Sequence, residues 1–128
     1  MKRFALLVVV CVLALVFNVM TAQMVSARPE YKGRFEEATK KSKAAGAVAE
    51  AKCNACHYGK SKKNRNDFGK AVNKGITEET YKELKGDKEK LEKCIDAAIK
   101  GALKEKNADG KTFGELIEAG QLPAKNPE

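Results

Sequence analysis

From Phe35 onward, apolar residues return at three- and four-residue intervals, and no stretch of four or more alternates apolar with polar positions on β-branched residues. That pattern predicts an all-α chain without strands. The clearest segment follows Asp87: Leu91, Cys94, Ile95, Ala98, Ile99, Ala102 and Leu103 form one apolar stripe, and the Asp carboxylate caps its start. Upstream, "RFEEATKKSKAAGAVAEAKCNACH" reads as a single Ala-rich helix from about Phe35 through His57, with Gly46 a weak point or a break. A short helix opens at Asp67 and carries Phe68, Ala71 and Val72. Another follows a Thr77 cap through Tyr81 and Leu84 and is stopped by Gly86. Beyond "NADG", the spacing of Thr112 and Glu115 fits a capping box that leads a last helix through Phe113, Leu116 and Ile117.

The first 27 residues follow a different rule. Lys2 and Arg3 precede an unbroken apolar run from Phe4 to Phe17, which is shorter than the roughly 20 residues a membrane span needs. Small residues at Val25-Ser26-Ala27 then fit a signal-peptidase site, with Ala22 as an alternative and an uncleaved anchor as the competing reading. Residues 1–27 are expected to be a signal peptide and residues 28–128 one domain with no membrane span after cleavage. The protein is therefore expected to be exported, to the periplasm or an equivalent oxidising compartment.

Charge changes the picture only modestly. The whole chain carries +8, and removing residues 1–27 takes away Lys2, Arg3 and no acid, leaving +6. Cations and aromatic residues do not alternate along the chain, so nucleic acid is not the expected partner. Two readings remain for the lysines, a solvated surface and steering toward an acidic redox partner. The loop "KSKKNRN" carries the same pair of readings.

The candidate chemistry is "CNACH", with Cys53, Cys56 and the chain's only histidine, His57. C-x-x-C-H is the attachment signal for c-type haem: both thiols form thioethers and the adjacent imidazole becomes an axial iron ligand. Three rivals use the same cysteines. A redox dithiol needs a strand before the motif, and none is visible. A zinc site would have to use Cys53, Cys56, His57 and Cys94, two of them sequence neighbours. A Cys53–Cys56 disulfide leaves His57 unexplained. Haem attachment accounts for all three residues and for export.

With a helix running into C-x-x-C-H near the mature N-terminus and short helices after it, the chain resembles the class I monohaem cytochromes c. The resemblance implies a small fold of about four to five short helices around one covalent haem c, with His57 proximal. A haem would then supply much of the apolar centre of a chain this small.

The iron's other face poses a problem of supply. Met1, Met20 and Met24 all fall in the expected signal peptide, and there is no second histidine. Four cysteines less Cys11 and the two thioethers leave Cys94 unpaired, on the apolar stripe of the best-defined helix. Cys94 reads as a thiolate ligand, a small buried hydrophobe or half of an intermolecular disulfide. Lysine, Tyr31, Tyr58, Tyr81 or an open iron are the other options. This ligand deficit, with the "GKTFGELIEAGQLP" tail, resembles the His/Cys-ligated heterodimeric cytochromes of anaerobic ammonium-oxidising bacteria (NaxLS type), whose compartment is the anammoxosome. That resemblance implies a related cytochrome subunit as partner in a heterodimer, with a homodimer as the alternative, a very low potential, and a distal Cys that yields to NO or CO on reduction.

Axial ligands tune haem potential over about 0.8 V, or about 18 kcal/mol at roughly 2.3 kcal/mol per 100 mV. Exposed charges contribute about 1 kcal/mol each, so ligand choice should dominate. The expected function is low-potential electron transfer, gas binding on reduction, or both. The alternative is a haem subunit docked on a larger oxidoreductase. Peroxidase-like catalysis is disfavoured, because the mature chain has no distal histidine for acid–base work.

Overall fold

The computed structural model describes residues 28–126, so the expected signal peptide, with Cys11 and the three methionines, lies outside them. Among the described residues the chain is all-α: six helices, one 3₁₀ turn and no strand. Helix α1 spans Pro29–Thr39, α2 Ala45–Ala51, α3 Asp67–Gly75, α4 Glu78–Leu84, α5 Lys88–Leu103 and α6 Phe113–Glu118, with the 3₁₀ turn at Lys52–Ala55 between α2 and α3.

The single helix expected from Phe35 through the motif is instead three pieces. The chain does not break at Gly46, which lies inside α2. It breaks at Lys40–Ala44, where hydroxyls compete for helix carbonyls. Thr39 Oγ1 donates to the Phe35 carbonyl at 2.9 Å, and Ser42 Oγ and the Ser42 amide both donate to the Thr39 carbonyl, at 2.7 and 2.9 Å. The start moves as well: Pro29 sits in the first turn of α1, where its missing N–H costs nothing.

The remaining boundaries follow the expected caps. Thr77 Oγ1 accepts from the Thr80 amide at 3.3 Å, and Asp87 Oδ1 accepts from the Lys90 amide at 3.2 Å. The α6 capping box closes both ways, with the Glu115 amide donating to Thr112 Oγ1 at 3.1 Å and the Thr112 amide to Glu115 Oε2 at 2.6 Å.

Helix α5 is the centre of the packing, with α3 laid against it most extensively and α1 next. Gly75 makes the α3 crossing possible: a Cβ there would lie 2.7 Å from the Ala98 Cβ. Phe68 joins two other rings in the core, at 5.1 Å from Phe35 and 5.4 Å from Phe113. Val48, Ile76, Ile95 and Ile99 complete a centre made of side chains. These side chains, together with Ala55 of the motif turn, belong to the buried apolar cluster, and the rest of the motif sits at its rim. Arg34 of α1 holds α5 through a two-point ion pair with Asp96, its Nε 2.7 Å from Oδ1. Among the described residues no helix is long and apolar enough to cross a membrane.

Candidate haem-attachment site

The cysteine motif is displayed on a strained corner. Lys52 carries a φ of 52°, alone among the described non-glycine residues in the positive range, and it ends α2 where the 3₁₀ turn begins. Backbone strain of this kind persists where surrounding contacts over-determine it. Here they are polar. The Asn66 amide donates to the Cys56 carbonyl at 2.9 Å, and Asn66 Nδ2 donates to the Ala55 carbonyl at 3.0 Å. Asn66 Oδ1 accepts from the Gly69 amide at 2.9 Å, so one buried side chain both caps α3 and grips the motif. Gly69 permits this closeness, because a Cβ at that position would stand 2.3 Å from the Cys56 carbonyl oxygen.

The far end of the chain returns to the same place. Asn126 Nδ2 donates to the carbonyl of Asn54, between the two cysteines, at 3.1 Å, and Asn126 Oδ1 accepts from Asn66 Nδ2 at 2.9 Å. None of Asn64, Asn66, Gly69 or Asn126 stands out in the sequence reading. Asn66 was within reach, because an Asn immediately before a helix is a cap signal; Asn126 carries no local signal.

His57 is oriented by one contact. Its Nδ1 lies 3.0 Å from the Asn64 backbone carbonyl, which only accepts hydrogen bonds. Nδ1 therefore carries the proton and Nε2 keeps its lone pair. Nε2 makes no hydrogen bond among the described residues. Burial, with Arg65 and Lys62 nearby, holds the imidazole below the usual histidine range despite the Asn64 contact, favouring the neutral ligand form. Cys53 and Cys56 are both free thiols. Cys56 retains some exposed surface, yet its sulfur is enclosed, and burial pushes that thiol up to about 12.

Cys94 is also free and half-buried, packed against the core on α5. It borders a cleft of about 360 Å³ between α3 and α5, lined chiefly by Ala71, Gly75, Ala97, Ala98 and Gly101 and crossed at one end by the Lys74–Glu105 ion pair. Tyr31 and Tyr81 lie on the same side of the core, their rings 5.9 Å apart, with the Arg28 guanidinium 3.9 Å above Tyr81. At about 3.6 residues per turn, Gly69, which abuts Cys56, falls on a different flank of α3 from Ala71 and Gly75. The structure thus brings Cys53, Cys56 and His57 together on one turn and leaves Cys94 across α3. No group of three His, Cys, Asp or Glu side chains able to hold a metal ion forms among the described residues.

A scan against protein-family models, a search of curated proteins and a search of solved structures each returned no match.

Proposed function

We propose that the chain is an exported, monohaem c-type cytochrome. The observation that carries this reading is the His57 geometry: an imidazole locked in the Nδ1–H tautomer by a backbone carbonyl, with Nε2 free, beside two unpaired thiols on one turn. Fixing one ring nitrogen so that the other is presented to a metal is how protein surroundings orient a histidine ligand. Cys53 and Cys56 would form the thioethers and His57 the proximal bond. Bound haem c would supply one-electron redox chemistry and, when reduced, affinity for NO or CO.

For the second axial position Cys94 is the proposed group, as the one thiol outside the motif among the described residues. A thiolate there would donate charge to the iron and hold the ferric state, giving a low potential. Because α3 stands between the motif and Cys94, joining His57 and Cys94 on one iron asks that helix to give way. This makes Cys94 the part of the proposal most exposed to experiment.

Protein purified from a host that matures c-type cytochromes is expected to be red, with a ferric spectrum of thiolate ligation; colourless protein rejects the haem reading outright. Cys94→Ala is expected to remove the thiolate signature, and an unaltered ferric spectrum rejects Cys94 as a ligand while leaving the haem. Carbon monoxide added to the dithionite-reduced protein is expected to displace the distal ligand, and an unchanged spectrum rejects gas binding.

A further inference from the structure

The excess charge of this protein is local. Between Ala51 and Asn66 the chain carries five cations, Lys52, Lys60, Lys62, Lys63 and Arg65, and no Asp or Glu, while the rest of residues 28–128 holds 18 cations against 17 acids. Of a net +6, then, +5 belongs to the 16 residues containing the motif. The fold keeps that charge together. His57 bridges to Arg65, the Tyr58 amide donates to the Asn64 carbonyl at 3.3 Å, and Lys62 Nζ donates to Asn54 Oδ1 at 2.7 Å, closing the loop over the motif. Elsewhere some lysines pair with acids along α1, α3, α4 and α5, and those that do not, such as Lys85, Lys104 and Lys111, lie in stretches that also carry acids. None of these five makes an ion pair with the described acids. Lys62 bonds instead to an uncharged carboxamide.

A segment of this kind acts at long range. Unpaired like charges around one group raise the local potential, speed encounter with an oppositely charged surface and fix its orientation. From Tyr58 to Asn66 the uncharged residues are Tyr58, Gly59, Ser61, Asn64 and Asn66, and Tyr58 alone offers apolar area. A lipid-inserting loop needs an apolar face, and a single-strand nucleic-acid surface needs several stacking rings; this loop has neither.

We infer that the loop from Gly59 to Arg65, with Lys52, is a docking face for an acidic protein surface, which it holds directly over His57. The inference rests on the proposed haem for its purpose but not for its test. Polyglutamate serves as the acidic probe, and two variants of equal net charge are compared: K60Q/K62Q/K63Q in the loop, and K85Q/K104Q/K111Q at exposed lysines outside it that also make no ion pair with the described acids. The loop triple is expected to weaken binding about tenfold at low salt, and the other triple by no more than about twofold, the gap closing near 1 M salt. Equal losses in the two triples would overturn the docking face, leaving net charge alone. If phosphatidylglycerol vesicles bind the wild type more tightly than polyglutamate does, and the loop triple loses that binding, the surface is a membrane site and the inference also fails. A second arm uses the haem-loaded protein: oxidation of its reduced form by anionic hexacyanoferrate(III) is expected to slow with added salt and in the loop triple, whereas cationic tris(phenanthroline)cobalt(III) should react faster in both cases. A colourless protein would sink the haem proposal while leaving the polyglutamate result standing.

Discussion

The motif corner, residues 52–66, and the packed helices α1, α3 and α5 are held by different forces. The helices are joined by rings and aliphatic side chains, each contact replaceable by a neighbour of similar volume. The corner has one fully buried apolar residue, Ala55, and is fixed by a few directional bonds to Asn64, Asn66 and Asn126. Apolar burial is non-directional and sets stability, whereas a hydrogen bond contributes only about 0.5–1.5 kcal/mol net but specifies an angle. The difference teaches where to look for each property. Stability lives in the helices, and the geometry of His57 and its neighbouring thiols lives in a corner that adds little to it.

Substitutions can break or sharpen that division. The largest effect is expected for Phe68→Ala, which removes the ring joining Phe35 and Phe113 and should cost about 3–5 kcal/mol in denaturant unfolding. The spectrum of the protein that remains folded should not change; a changed spectrum would mean that core and corner are one unit. Gly69→Ala attacks the seam between them. Its Cβ would meet the Cys56 carbonyl, so the corner has to move, and a loss of about 1–3 kcal/mol is expected together with an altered histidine environment by NMR. A smaller change of opposite sign is expected at Lys52. Glycine adopts its positive φ freely, so Lys52→Gly should stabilise the fold by about 1 kcal/mol, and destabilisation would show that the side chain, rather than the backbone, matters there.

The smallest effect concerns pH and the capping box of α6. The Thr112 amide and hydroxyl hold the Glu115 carboxyl below its ordinary value of 4.5, so the capping box contributes stability above that pH and loses it as pH falls through the lower, folded value. Glu115→Gln should be less stable than the wild type at neutral pH, with the gap closing in acid. A gap that persists at low pH would show that the carboxylate is not the source.

Legibility in the sequence followed range. Helix type, the Thr77, Asp87 and Thr112 caps and the apolar stripe of α5 are properties of residues three or four apart, and the chain declares them directly. The break after Thr39 was hidden because hydroxyl-to-carbonyl bonds compete with a helix that Ala and Lys propensities otherwise favour. The identity of the motif needs only a pentapeptide, whereas its support does not lie nearby. Asn126 reaches Asn54 across 72 positions, and Gly69 is required by a carbonyl 13 residues earlier.

What the amino-acid sequence determined by itself was therefore the helical class, the candidate ligands and the amount of charge. Only the tertiary structure decided which tautomer His57 adopts, that the centre is filled by Phe35, Phe68 and Phe113, that α3 lies between the motif and Cys94, and that five cations without acidic partners share the corner that holds one imidazole. Periodicity and capping depend on neighbours along the chain, while tautomer, enclosure and local potential depend on whatever the fold brings alongside.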